Sequence, residues 1–218
     1  MTMRWRRMKP VLLATLLAAA VPACGMPAEE QVADYDPTRA GTVAHALCLL
    51  GYTGVPMRAL STGHHVVDVT LNGRRASFVL DTGANATVID SAYAGQFGLT
   101  GRAVARGPAI GIGGTSDAAQ LAIESFRIGR VPTRQRTVMV TDLSRFTGML
   151  TPLSGRTVHG IVGQDVLKEH RAVVDVDGLV VHFIEADRDP APIDAARCGG
   201  VSAANAAPAS LRSEGARR

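Results

Sequence analysis

From His64 to Leu80 the chain alternates apolar and polar positions. Val67, Val69 and Leu71 are separated by Asp68 and Thr70, and a second run, Ala76-Ser77-Phe78-Val79-Leu80, follows Asn72-Gly73. A period of two predicts a strand with one buried face, and Asn-Gly between two such runs is a strong short signal for a β-hairpin. Thr87-Val88-Ile89 is a brief β-branched run, after which Asp90 or Ser91 can cap a short helix through residues 91–99. Residues 107–116 hold glycines at 107, 111, 113 and 114 and predict a flexible hairpin tip. The segments 119–129 and 136–143 predict further strands. Residues 145–157 have turn residues and little periodicity, so they predict a loop. Residues 160–170 begin as a strand and turn helical after Gly163. Residues 171–185 predict another hairpin with its turn at Asp177-Gly178.

The flanks differ in texture. Residues 24–58 contain Pro27, Pro37 and Pro56 and one short helical run, 44–54, and they predict a lead or linker. Residues 187–218 are rich in Ala, Pro, Ser, Gly and Arg and predict a disordered tail. Residues 59–186 remain as one mainly β domain. A hydrophobic share of 46% suits a chain with a packed core.

Charge narrows the partners. The chain carries a formal charge of +4, but Arg4, Arg6, Arg7 and Lys9 precede any acid. Taking those four from the 23 basic residues leaves 19 against 19 acidic ones, so the rest is neutral. That argues against nucleic acid as the main partner. The early charges form a basic segment ahead of an apolar run, residues 11–21, shorter than the roughly 20 residues a membrane helix needs. Residues 1–23 therefore predict a secretory signal. Val21-Pro22-Ala23-Cys24 resembles a bacterial lipobox with Pro22 as an unusual member, so lipidation at Cys24 and ordinary cleavage after Ala23 both fit. The expected location is the cell envelope, periplasmic or lipid-anchored. With Cys24 set aside, Cys48 and Cys198 form an even pair, which in an exported chain favours a disulfide over a metal site; two unpaired thiols are the alternative. His64 and His65 point to opposite faces of a strand and do not suggest a shared metal ion.

The candidate chemistry lies at Asp81-Thr82-Gly83. Asp81 follows an apolar strand, so its carboxylate emerges at a strand end. Thr82 offers a hydroxyl, and Gly83 lets backbone N–H groups approach without a Cβ in the way. A single Asp-Thr-Gly most often marks a turn. Its surroundings make it specific. Phe78 to Ala84, the glycine-rich tip Ile110-Gly111-Ile112-Gly113-Gly114, and Ile161-Val162-Gly163 followed by a short helix occur in an order that resembles the retropepsin-like aspartic proteases, bacterial exported members included. The resemblance covers roughly residues 60–185. It implies a closed β-barrel with one or two short helices and an active site at a homodimer interface. Asp81, Thr82 and Gly83 would be the catalytic loop, residues 110–114 the substrate-binding flap, and Ile161, Val162 and Gly163 the support beneath the loop.

That chemistry needs two carboxylates sharing one proton, and the chain carries the motif once. Asp175-Val176-Asp177-Gly178 lacks the hydroxyl residue. The second Asp81 is therefore expected from a second chain. The expected activity is peptide hydrolysis on an extended peptide or protein substrate, with no metal or organic cofactor. Asp165 reads as a charge at a helix N-terminus, and His159 as structural. The rival readings are a catalytically silent peptide-binding or dimerisation module of the same fold, and a lipid-anchored structural protein of the envelope.

Overall fold

The computed structural model describes residues 31–111 and 114–202. The signal segment, Cys24, Ile112, Gly113 and residues 203–218 lie outside the described residues.

The first elements are strand β1 (Gln31–Val32) and helix α1 (Val43–Leu49), which Thr42 caps by accepting the His45 N–H at 3.1 Å. Strands β2 (Thr53–Pro56) and β3 (Arg58–Ala59) lead to the hairpin of β4 (His65–Leu71) and β5 (Arg74–Leu80). The hairpin turns where the alternation predicts it, with Asn72 and Gly73 both at positive φ. Asn72 does more than turn the chain. Its side-chain N–H donates to Phe97 O at 2.9 Å, and its oxygen accepts from Glu124 N at 2.8 Å.

Strand β6 (Val88–Asp90) runs into a 3₁₀ helix, Ser91–Phe97, which Asp90 caps through Ala92 N. The glycine-rich hairpin is β7 (Ala105–Gly111) and β8 (Gly114–Ala122). After β9 (Phe126–Ile128), β10 (Val131–Pro132) and β11 (Thr137–Thr141) comes helix α2 (Ser144–Ser154). Then follow β12 (Gly160–Val162), helix α3 (Gln164–Glu169), the hairpin β13 (Val173–Asp175) and β14 (Val180–Phe183), and helix α4 (Ala196–Ser202).

Alternation along β4 and β5 sorts side chains between two faces. Val67, Val69, Leu71, Phe78 and Leu80 enter the main core with Ile89, Phe97, Phe126 and Val162. Val66 and Val79 point the other way and pack with Leu60, Leu150 of α2 and Val158.

The structure corrects four expectations. First, the fold is mainly β, but the large sheet does not close. Its order, β1-β3-β4-β5-β12-β6-β11-β8-β7, is a path with β9 branching from β4, and among the described residues nothing joins its ends. The last hairpin explains why. β7 is almost wholly exposed and made of Gly, Pro, Ala and Arg with one Ile, so it has no apolar face to roll inward.

Second, residues 145–157 are mostly helix α2 rather than loop. Gly148 and Pro152 hide the pattern, but Thr147, Leu150 and Ser154 bury one face at helical spacing. Thr147 Oγ1 also donates to the buried Asp90 Oδ2 at 2.6 Å. With α1 and α4, the helices outnumber the one or two expected.

Third, the lead is not a linker from residue 31 onward. β2 pairs with β14 in a second, three-stranded sheet, and Val55 and Met57 are buried. Fourth, residues 187–202 are not a free tail. Ala191 N and Ile193 N donate to Leu50 O and Leu49 O, and Cys198 is bonded to Cys48. That cross-link spans 150 residues, and closing so long a loop restricts the unfolded chain. Both the lead and the tail bury apolar residues that composition alone placed outside the domain.

Candidate active site

β5 lies between antiparallel β4 and parallel β12, so its last three residues are buried on both faces. This explains the unbroken apolar run before Asp81. The ladder continues one step past the strand, because Asp81 N–H donates to Val162 O at 3.0 Å. There the chain turns. Gly83 N–H donates to Asp81 Oδ1 at 2.8 Å, an Asx turn that fixes the carboxylate. A Cβ on Gly83 would lie 3.2 Å from that oxygen, tight enough to push it aside. Asp81 is half-buried, while Thr82 and Gly83 are exposed. The loop thus presents one carboxylate edge and one hydroxyl to the outside.

Beneath the loop, β12 and α3 hold it at several points. Gln164 N donates to Ala84 O at 2.8 Å, and Gln164 Nε2 donates to Thr82 O at 2.5 Å. Gly163 N donates to Thr87 Oγ1 at 3.1 Å. Asp165 Oδ2 accepts from Thr87 N at 2.9 Å, and its Oδ1 accepts from Thr87 Oγ1 at 2.8 Å. Gly163 is required by crowding. A Cβ there would collide with Ala86 O and lie 2.9 Å from Ala84 O. Val162 and Gly163 are buried, and Ile161 is half-buried.

Sequence reading assigned Asp165 to its own helix. It does accept from Val166 N at 2.8 Å, but its main partner is Thr87, 78 residues earlier. The Gly-x-Asp opening of α3 was the available signal. Asp165→Ala would leave the buried Thr87 hydroxyl and N–H without their acceptor, a loss of about 2 kcal/mol. The expected outcome is a lower urea midpoint with an unchanged m-value, and Asp165→Asn, which keeps one acceptor oxygen, should fall between.

Of the proposed flap residues, Ile110, Gly111 and Gly114 lie on the β7–β8 hairpin, and the sheet order puts β11, β6 and β12 between that hairpin and the strand that carries the Asp81 loop. Ile110 is 86% exposed, so the hairpin does not pack on the loop within one chain. A surface hollow at the hairpin base is lined by Ser91, Arg106, Asp117, Thr141 and Asp142, and Asp81 is not among its lining residues. Asp175, the carboxylate of the incomplete second motif, accepts from Gly178 N in the β13–β14 turn on the smaller sheet. It does not join Asp81.

Sequence reading also missed the contact between His64 and Phe146 of α2, whose rings lie 5.8 Å apart, edge to face. No group of His, Cys, Asp and Glu among the described residues is arranged to hold a metal ion.

Residues 67–166 match the family model described as aspartyl protease, a segment that contains Asp81, the glycine-rich hairpin and Ile161 to Gly163. Among curated proteins none matches the chain. Similar solved structures include a retropepsin-like aspartic protease from Rickettsia conorii, at 19% identity and a TM-score of 0.43, covering 61% of this chain and 98% of that one. Another is the EIAV protease complexed with the inhibitor HBY-793, at 19% identity and a TM-score of 0.37, covering 47% of this chain and 84% of that one. The matched segment and the motif coincide: residues 67–166 of this chain resemble the aspartyl protease family.

Proposed function

We propose that two copies of this chain form an aspartic endopeptidase, with the two Asp81 carboxylates meeting at a twofold axis. The observation that carries this reading is the Asp81 loop itself. A half-exposed carboxylate stands at the end of a buried strand, fixed by Gly83 N–H, above a clamp that binds the loop at Thr82, Ala84 and Thr87. Such rigidity is what a reacting group needs, since small misplacements are costly to catalysis. The exposure of Thr82, Gly83 and Ile110 leaves these residues available to a second copy and to substrate.

Two carboxylates that close cannot both ionise, so they share a proton. The ionised one takes a proton from a water held between them, and that water attacks the scissile carbonyl carbon. The protonated one donates to the carbonyl oxygen, and the proton then passes to the leaving nitrogen. Thr82 would steady the paired loops across the axis. The β7–β8 hairpin, with Ile110 and Gly111 toward its tip, would close over an extended peptide and exclude water. This chemistry calls for no metal or organic cofactor. Export to the cell envelope, with or without a lipid on Cys24, is part of the proposal, and the Cys48–Cys198 disulfide supports it.

The test is cleavage of a diverse peptide mixture by protein lacking residues 1–23, from acidic to neutral pH, read by mass spectrometry beside a measurement of oligomeric state. Cleavage whose specific activity rises with protein concentration supports the dimeric enzyme. A demonstrated dimer that cleaves nothing at any pH would instead be a silent peptide-binding module.

A further inference from the structure

We propose that His64 forms the wall of the site beside Asp81 and recognises an acidic side chain of the substrate; the proposal rests on the protease reading above. The strand register carries the first step. The β4–β5 pairing ends at His65 opposite Leu80, and the same register carried one step outward sets His64 against Asp81. Residues so opposed in an antiparallel pair have Cα atoms about 4.5 to 5.5 Å apart.

The second step is the face. Val66 opposes Val79, and both belong to the smaller cluster, while Val67, Phe78 and Leu80 belong to the main core. By alternation His64 and Asp81 share the Val66–Val79 face. The His64 ring confirms this, because it meets Phe146, which packs on that same cluster. α2 therefore packs on the face of the sheet that His64 occupies at the end of β4.

The third step is the ring's chemistry. His64 Nδ1 lies 2.9 Å from Thr62 Oγ1, and among the described residues Nε2 has no partner. In the protonated ring Nδ1–H donates to the Thr62 hydroxyl and Nε2–H is left to donate outward. A carboxylate is the natural acceptor, through a charge-assisted hydrogen bond. Arg58 and Asp68, on the same face, are paired with each other at 2.9 Å.

Two measurements test this. The first compares the His64 ring signals by NMR, at one fixed pH, in the wild-type chain and in Asp81→Asn. Adjacency predicts that the ring signals move when the neighbouring carboxylate becomes an amide. Unmoved signals overturn the proposal, whether or not the protein cleaves anything.

The second compares peptides that differ only by Glu or Gln beside the cleaved bond. The wild type is expected to prefer Glu by about tenfold, the worth of one charge-assisted bond, and His64→Gln is expected to bring the two to equal rates. If the ring signals move and peptides are cleaved but His64→Gln keeps the Glu preference, the specificity role is overturned and the protease reading stands. If the ring signals move and no peptide is cleaved, the protease reading fails and the substrate role fails with it.

Discussion

Asp81→Asn is expected to abolish peptide cleavage, by about a thousandfold or more, while leaving the unfolding transition in place. The magnitude follows from the role. General acid–base groups contribute about 10² to 10⁴, and in a homodimer one substitution removes both at once. The fold should persist because the interaction Asp81 makes is one an amide can also make. Gly83 N–H donates to Oδ1 at 2.8 Å, and Asn keeps an oxygen there. The backbone bond from residue 81 to Val162 O does not involve the side chain. Asn is also close to Asp in size at a half-buried position.

The same variant tests the shared site. When wild-type and Asp81→Asn chains are mixed in equal amounts and allowed to exchange, about a quarter of the dimers carry two intact carboxylates. Activity per wild-type chain should then fall to about half. If it stays constant, each chain works alone, and the twofold mechanism is wrong even though the protein is a protease. Cleavage that survives in pure Asp81→Asn would remove Asp81 from the chemistry altogether.

What the sequence shows plainly is what depends on neighbours in sequence. The β4–β5 hairpin, the cap at Asp90, the strand-to-helix switch at Gly163 and the β13–β14 hairpin follow from period, turn residues and capping. The Asp81 loop was legible for the same reason, since its strand-end placement is written in the apolar run before it. The rest was hidden by distance. Helix α2 has a glycine and a proline inside it, and its support comes from Leu150 in the smaller cluster and from Asp90, 57 residues before Thr147. Likewise Asp165 meets Thr87 only because β12 pairs with both β5 and β6. The lead and the residues up to 202 looked expendable because their apolar residues are few, yet Cys48, Val55, Met57 and Cys198 are all buried.

The body of the protein is expected to lose stability in acid, through His182 above all. His182 lies in β14, between β13 and β2, and is fully buried. Neither ring nitrogen has a hydrogen-bond partner among the described residues, and Tyr35 packs edge-on against the ring at 6.1 Å. Burial pushes its pKa down to about 4, with the negative charge of Asp175 opposing that shift. The unfolded chain binds this proton near the ordinary imidazole value of about 6.5. Above that pH neither state is charged and the stability is fully present. As pH falls toward 4 the unfolded state takes the proton first, and about 3 kcal/mol is lost.

His159 acts in the same direction. Burial lowers its pKa, and Ser77 N–H donates to its Nδ1 at 3.2 Å, a bond that only an unprotonated nitrogen can accept. Thermal or urea unfolding between pH 7 and pH 4.5 should therefore show a clear decline in the wild type and a flatter one in His182→Leu, whose side chain asks for no proton and no partner. An equal slope in the two would mean that a charged His182 is tolerated in place. The Asp81→Asn chain should keep the wild-type decline. An acid limit on activity that shifts in His182→Leu would then report the loss of folded protein rather than the protonation of the catalytic pair.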